Sequence, residues 1–211
     1  GDEKYRDALA ENVDKTNATR GLGWTNVGLF GCYAALTTDT LKADSSTLYS
    51  QIETEFYKSV DEAIRNIDQN EYKINKLIDF EWGSNMSIAN TGIMFMMAND
   101  LKANQEYVDN AKQHMHYLFG ANATGYCFVT GYGTMTPENP HHRPSEVLGK
   151  AMPGMLVGGP DSAMEDPYAK AVFLNVPAAR RYADNAQSYS TNEVTIYWNS
   201  PLIYLMTALM E

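Results

Sequence analysis

Residues 87–101 read SIANTGIMFMMANDL, and this stretch is apolar on nearly every face of a helix. A helix that is exposed to water on one side carries a polar stripe there, so this one is predicted to lie in the interior, covered on most sides. Its methionines, Met94, Met96 and Met97, are interpreted as core packing rather than as a ligand site.

The segments on either side predict further helices, most of them with a single apolar face. After Ser46, apolar residues recur every three or four positions over about six turns, at Leu48, Ile52, Phe56, Val60, Ala63, Ile64 and Ile67. Shorter helices are predicted over 5–13, 27–36, 108–118 with Gly120 at the C-cap, and 169–181 with a kink or break at Pro177. The last helix is predicted to begin at Pro201, with Ser200 as its N-cap. Successive helices without paired strands indicate an all-α protein with its functional loops at one end.

The composition of the 211 residues counts against several classes of function. With 16 basic and 26 acidic residues the formal net charge is −10, which disfavours nucleic acid as a partner. No run of about 18 apolar residues is present, so no membrane span is expected. The two cysteines cannot by themselves form a disulfide framework or a zinc site. The 14 tyrosines suit a ring-stacking ligand such as a sugar.

A long irregular stretch, residues 121–160, is rich in Gly, Pro, Asn and Thr, with a strand-like fragment at 126–130. Three large aromatics and the triplet His141-His142-Arg143 favour a functional loop over a disordered one. His141 and Arg143, held between prolines, offer hydrogen-bond donors to a polar ligand. An equally weighted alternative has surface histidines, with Arg143 paired to a local carboxylate. A metal site is less favoured, because adjacent histidines of an extended segment point apart.

Two more places carry residues suited to chemistry. Asp184 and Glu193 lie among aromatic residues just before the last helix. A carboxyl group in such surroundings loses hydration, which favours its protonated form and lets it act as an acid. On composition alone, a carboxylate that caps a helix is the favoured alternative. Trp82, followed by Gly83 at the mouth of the interior helix, would stack on a sugar if exposed and plug the helix end if buried.

Together these segments resemble the C-terminal half of the catalytic domain of glycoside hydrolase family 9, the cellulase family E. Val129-Thr130-Gly131-Tyr132-Gly133, followed by Pro140-His141-His142-Arg143, is similar to the family's first signature, with departures at Cys127 and Met135. The family's second signature consists of an aromatic residue, Asp, a second aromatic residue, Glu, a small residue, Asn and another small residue, at fixed spacings. It is filled by Tyr182, Asp184, Tyr189, Glu193, Thr195, Asn199 and Ser200. The resemblance covers nearly the whole chain and implies about half of an (α/α)6 barrel.

The resemblance implies hydrolysis of β-1,4-glucosidic bonds, in cellulose or related β-glucans, with inversion of configuration. Glu193 would be the general acid, His141 and Arg143 would hold the sugar at the cleavage point, and Asp184 would support the acid. The substrate-binding aromatics would be Trp82, Trp198 and Tyr189.

An inverting enzyme also needs a second carboxylate as base, about 6.5–9.5 Å from the acid. In the family this base lies in an Asp-Ala-Gly-Asp-like motif, and the present sequence has no such motif. Residues 1–211 are therefore expected to be the C-terminal portion of the catalytic domain, with the base supplied by an N-terminal portion.

The expected partners are a β-1,4-glucan or cellodextrin and the complementary N-terminal fragment, with no nucleic acid and no membrane. No cofactor is required. The family allows a structural calcium, with Asp161, Glu165 and Asp166 as candidate ligands and a solvated acidic loop as the favoured alternative. A secreted protein is expected; the first residues lack the apolar core of a signal peptide, as a mature secreted chain does. The alternative from another class is a non-catalytic glycan-binding half-domain.

Overall fold

The computed structural model describes residues 2–13, 19, 21–76 and 78–210, and within these ranges the chain consists of helices and connecting loops. The α-helices are α1 Glu3–Asn12, α2 Gly28–Leu36, α3 Asp39–Asp44, α4 Ser46–Asp68, α5 Ser84–Leu101, α6 Gln105–Leu118, α7 Arg143–Leu148, α8 Pro167–Val172, α9 Tyr189–Asn192 and α10 Ile196–Ala208. One 3-10 turn spans Ala178–Arg180. The described ranges hold no β-strand, only isolated bridges. The prediction of an all-α protein is confirmed.

The interior helix predicted over 87–101 is α5, which begins three residues earlier. Gly83 precedes it with φ 83°, a left-handed conformation that glycine adopts without strain. Helices α4, α6 and α10 all pack against α5, and of its residues from Ser84 to Ala98 only Ser87 and Met96 are not buried. The apolar character of this segment on all sides is thus matched by neighbours on several sides.

Two hydrophobic clusters divide the core along α5. The first joins α5 to the predicted apolar stripe of α4, whose buried residues are Ile52, Phe56, Val60, Ala63 and Ile67. The second contains Ile88 and Ala89 of α5 together with loop residues such as Phe128, Leu156 and Tyr182. Burying one such large apolar side chain stabilises the fold by about 1.5–3 kcal/mol. The second cluster therefore stabilises the long loops, because it packs their apolar residues against α5.

The last helix begins earlier than predicted. The N-cap is Thr195, whose hydroxyl accepts a hydrogen bond from the amide of Trp198 at 3.3 Å, and Pro201 lies inside the helix. The prediction of a start at Ser200-Pro201 is wrong, because the threonine five residues upstream already satisfies a free amide of the first turn.

Two other predictions are refined. The helix predicted over 169–181 ends at Val172, the last residue of α8, and Pro177 then precedes the 3-10 turn. The prediction of one helix that breaks at this proline is therefore wrong, because the helix has already ended five residues earlier. The strand-like fragment at 126–130 contributes one bridge, between Val129 and Leu156. Among the described helices, none combines the length and apolar character that a membrane span requires.

Candidate active site

The site is built on the N-terminal end of α5, which holds the segment 157–160. The amide of Asn85 donates to the carbonyl of Gly158 at 3.0 Å, and its side chain donates to the carbonyl of Val157 at 2.9 Å. The hydroxyl of Ser84 reaches the carbonyl of Pro160 at 2.8 Å. One backbone amide and two side chains at the start of α5 thus hold residues 157–160, which form the first loop layer of the site.

A second layer, residues 191–193, lies against the first. The amide of Gly158 donates to the carbonyl of Glu193 at 3.0 Å, and the amide of Gly159 donates to the carbonyl of Thr191 at 2.8 Å. A Cβ atom on Gly159, which has φ 92°, would lie 2.5 Å from the side chain of Asn85. The close approach of the two layers therefore depends on glycine at this position.

The third layer brings His141 beside Glu193. The amide of His141 donates to the carbonyl of Asn192 at 2.8 Å, and His141 and Glu193 form a parallel bridge. Side chains of residues paired in this way project to the same face. The structure therefore places two of the predicted site residues, the imidazole of His141 and the carboxylic acid of Glu193, side by side.

The imidazole of His141 has a defined tautomer. Its Nδ1 lies 2.6 Å from the carbonyl oxygen of Ala186. Because a carbonyl oxygen can only accept, Nδ1 carries the proton, and Nε2 faces away from this bond. The half-buried ring therefore offers Nε2 to a ligand.

Aromatic rings continue from His141 toward α5. The centroids of His141 and Tyr189 are 6.0 Å apart, and those of Tyr189 and Trp82 are 5.4 Å apart. Trp82 is 39% exposed, so it does not plug the helix end but presents part of its ring to solvent. This row of rings, Trp82, Tyr189 and His141, suits the flat apolar face of a sugar.

The Glu193 side chain is half-buried, and no hydrogen bond or ion pair holds its carboxylate in the described part of the chain. The alternative in which it caps the next helix is wrong, because Thr195 is that cap. Asp184 is occupied in a different way: its carboxylate oxygens accept from the amides of Glu138 and Asn139, each at 2.8 Å. Asp184 therefore holds the segment that leads into His141, while Glu193 is left for a ligand.

Arg143 is the first residue of α7, and its side chain is exposed. The alternative in which it pairs with a local carboxylate is not what the structure shows, since its guanidinium forms no ion pair within the described ranges. His142 differs from its neighbour: its Nδ1 lies 2.9 Å from the hydroxyl of Ser145, inside α7. The two adjacent histidines therefore have separate partners, as an extended segment requires.

The prediction that Trp198 is a sugar platform is wrong. Its side chain is only 2% exposed, and a Cβ atom on Gly83 or Gly158 would lie about 3 Å from its ring. Trp198 lies on the buried face of α10 with Pro201, Leu202 and Leu205. This spacing of three, four and seven residues is the sequence signal that could have predicted its burial.

The favoured expectation of a solvated acidic loop holds for Glu165, which is exposed, but is wrong for Asp161 and Asp166. Asp161 and Asp166 are fully buried. Asp161 accepts from the amides of Ala163 and Glu165, and Asp166 from the amide of Ala169 and from Ser188 and Ser190. Burial opposes ionisation of Asp166, but these hydrogen bonds hold its pKa below the ordinary value. Across the ranges that the structure describes, no three His, Cys, Asp or Glu side chains are grouped to hold a metal ion.

The chain belongs to Glycosyl hydrolase family 9, whose sequence profile matches residues 1–206. It is 32% identical, over 99% of its length, to a xyloglucan-specific endo-beta-1,4-glucanase of Bacteroides ovatus, and covers 36% of that protein. It superposes with a TM-score of 0.91 on a single mutant of a thermostable endoglucanase from Alicyclobacillus acidocaldarius, at 34% identity, over 98% of this chain and 39% of that one.

A complex of AaCel9A with cellobiose-like isofagomine gives a TM-score of 0.89 at 34% identity, over 96% of this chain and 39% of that one. The solved relatives are (α/α)6 barrels, and the present chain folds as part of such a barrel. The chain spans about a third of the length of the Bacteroides ovatus protein and about two fifths of these two solved chains.

Proposed function

We propose that this chain is the C-terminal part of a catalytic domain that hydrolyses β-1,4-glucosidic bonds in cellulose or a related β-glucan, outside the cell and with inversion. The observation that carries the proposal is the placement of Glu193 beside His141, with no partner for its carboxylate among the residues that the structure describes. Two of the similar proteins, an endo-beta-1,4-glucanase and an endoglucanase, are β-glucan hydrolases by name.

Glu193 gives its proton to the bridging oxygen as the bond to the sugar breaks. His141, through Nε2, and Arg143, through its exposed guanidinium, hold the sugar at the cleavage point. Trp82 and Tyr189 lie under the sugar ring, and Asp184 supports the loop that carries His141. A water molecule attacks from the opposite face, and the base that takes its proton belongs to an N-terminal portion of the domain.

The N-terminal portion would cover an apolar surface of α2 and α10. Val27 and Phe30 are 65% and 45% exposed, and Ile203 and Tyr204 are 64% and 46% exposed. Val27, Phe30 and Tyr204 line one apolar cavity. Keeping such surface in water is unfavourable by about 25 cal/mol per Å². A well-folded, monodisperse 23.5 kDa species in sizing and calorimetry would contradict this part of the proposal.

The test compares Glu193→Gln with the parent, in the protein that carries the whole catalytic domain. We expect reducing-end release from a soluble cellulose derivative to fall by about 100-fold or more, as for other general acids, while glucan binding is retained. The matched control is Glu146→Gln, which changes an exposed glutamate of α7. Binding without hydrolysis in every variant, the parent included, would favour the glycan-binding alternative instead.

A further inference from the structure

Asn192, directly before Glu193, is fully buried and makes hydrogen bonds in several directions. Its side-chain Oδ1 accepts from the hydroxyl of Tyr182 at 2.7 Å. Its Nδ2 donates to the carbonyl of Asn139 at 2.7 Å and to Oδ1 of Asp184 at 3.3 Å. Its backbone carbonyl accepts the amide of His141 at 2.8 Å. One residue thus connects the Glu193 segment to the His141 segment through both its backbone and its side chain.

The chemistry of its neighbours fixes which way the amide group points. The carbonyl of Asn139 and the carboxylate of Asp184 can only accept, so each needs an N–H group facing it. Burial, and to a smaller extent the charge of Asp184, raises the pKa of Tyr182 well above its ordinary value. The hydroxyl of Tyr182 therefore stays protonated and donates. A neutral side chain with an acceptor on one side and two donors on the other satisfies all three neighbours. Asparagine has this arrangement, and aspartate of the same size does not.

We propose that Asn192 is a positioning residue of the active site, which fixes residues 139–141 so that His141 stands beside Glu193. The inference rests on the function proposed above for these two side chains. Asp184 completes the connection, because it holds the amides of Glu138 and Asn139 and is itself a partner of Asn192. Asn192 does not need to touch the substrate; its effect is transmitted through the loop.

The informative variant is Asn192→Asp, which keeps the size and the acceptor for Tyr182. It replaces the two donors by an oxygen that faces the Asn139 carbonyl and the Asp184 carboxylate. The matched control is Asn185→Asp, which adds the same charge in the segment that leads into α9. The side chain of Asn185 accepts a hydrogen bond through Oδ1 from the amide of Gln187 at 2.9 Å. An aspartate at this position can accept the same hydrogen bond.

The first measurement is amide hydrogen exchange, which requires no activity. We expect the amides of Asn139 and His141 to exchange at least about tenfold faster in Asn192→Asp than in the parent, and to be unchanged in Asn185→Asp. Equal exchange in parent and Asn192→Asp would overturn the inference, whether or not the protein hydrolyses a glucan.

The second measurement is hydrolysis of a soluble cellulose derivative by the protein with the whole catalytic domain. We expect kcat of Asn192→Asp to fall by about 10- to 100-fold while KM stays within about twofold, because a small displacement of a catalytic group mainly slows the chemical step. A merely unstable variant would instead regain the parental kcat when the rate is corrected for the folded fraction, and that result would refute the positioning role. A parent without hydrolysis would overturn the proposed function, and hydrogen exchange would still decide whether Asn192 positions the loop.

Discussion

His141 and Glu193 form a parallel bridge, so an imidazole and a carboxylate project from one face of the same pair of segments. The two segments are far apart in the chain, and each is held from behind by other contacts. Asp184 holds the approach to His141, and Gly158 holds the carbonyl of Glu193. Because the backbone positions both residues, the carboxylate of Glu193 and Nε2 of His141 are left to contact a ligand.

Replacing His141 by asparagine tests whether Nε2 contacts the substrate. Loss of a hydrogen bond to a buried polar group costs about 1–3 kcal/mol, so kcat/KM should fall by about 5- to 150-fold. His142→Asn is the control, because the ring of His142 bonds Ser145 within α7. Equal losses in the two variants, measured by steady-state hydrolysis, would remove His141 from the role proposed for it.

Trp82→Ala should weaken glucan binding without unfolding the protein. Its ring is 39% exposed and lies next to Tyr189, so it is placed to stack on a sugar. Loss of one such ring contact is worth about 1 kcal/mol, or about fivefold in Kd for a cellodextrin. Phe119, which is 37% exposed just after α6 and outside the row of rings, provides the control variant Phe119→Ala. A Kd that is unchanged by Trp82→Ala, measured by calorimetry, would show that the row of rings does not bind the glucan.

The helices were predictable because their signal is local. The apolar period of α4 and the apolar character of α5 on all sides are both visible in the sequence, and both match the observed burial. The start of α10 could not be predicted in this way, because the sequence offers two starting points. One is the pair Ser200-Pro201, and the other is Thr195, five residues upstream of Ser200. Only the observed hydrogen bond, which the amide of Trp198 donates to the hydroxyl of Thr195, decides between them.

The site was predictable in its residue types and less so in its roles. The motifs identified His141, Arg143 and Glu193, but local sequence could not show that Asp184 is occupied by the amides of a distant loop. Asn192 was missed for the same reason, since its partners Tyr182 and Asn139 lie on two different segments. Hydrogen bonds between distant segments leave no periodic pattern for a single sequence to reveal.

Gly159→Ala should disrupt the layered loops. A methyl group there would lie 2.5 Å from the side chain of Asn85, and φ is 92°. We expect the free energy of unfolding to fall by about 2–4 kcal/mol, the sum of backbone strain and overpacking. Urea denaturation measures this loss.

Gly149→Ala separates the two contributions to that loss. Gly149 also has a positive φ, of 65°, but a methyl group there would meet nothing within 4 Å. Its cost should therefore be the backbone strain alone, about 1–2 kcal/mol. Equal costs for the two variants would mean that the contact between Gly159 and Asn85 is not tight in solution.

His114 should make the stability of the fold depend on pH. The ring is fully buried beside Phe95, with Nδ1 2.8 Å from the carbonyl of Asn110 and Nε2 accepting the amide of Asn75 at 3.2 Å. Burial lowers the pKa of His114 from 6.5 to about 4. As the pH falls, the unfolded chain takes up this proton before the folded one does. Stability present above pH 6.5 should therefore be lost progressively down to about pH 4, to a total of about 3 kcal/mol.

The measurement is urea unfolding of the parent, His114→Gln and His116→Gln between pH 7 and pH 4.5. His114→Gln is less stable at pH 7, because it gives up the packed ring, but its stability should fall less steeply with acid than that of the parent. His116 is exposed one half-turn further along α6, so His116→Gln should follow the parent. If all three proteins lose stability with the same dependence on pH, His114 is not neutral in the fold, and the cause of the acid sensitivity lies in the carboxylates.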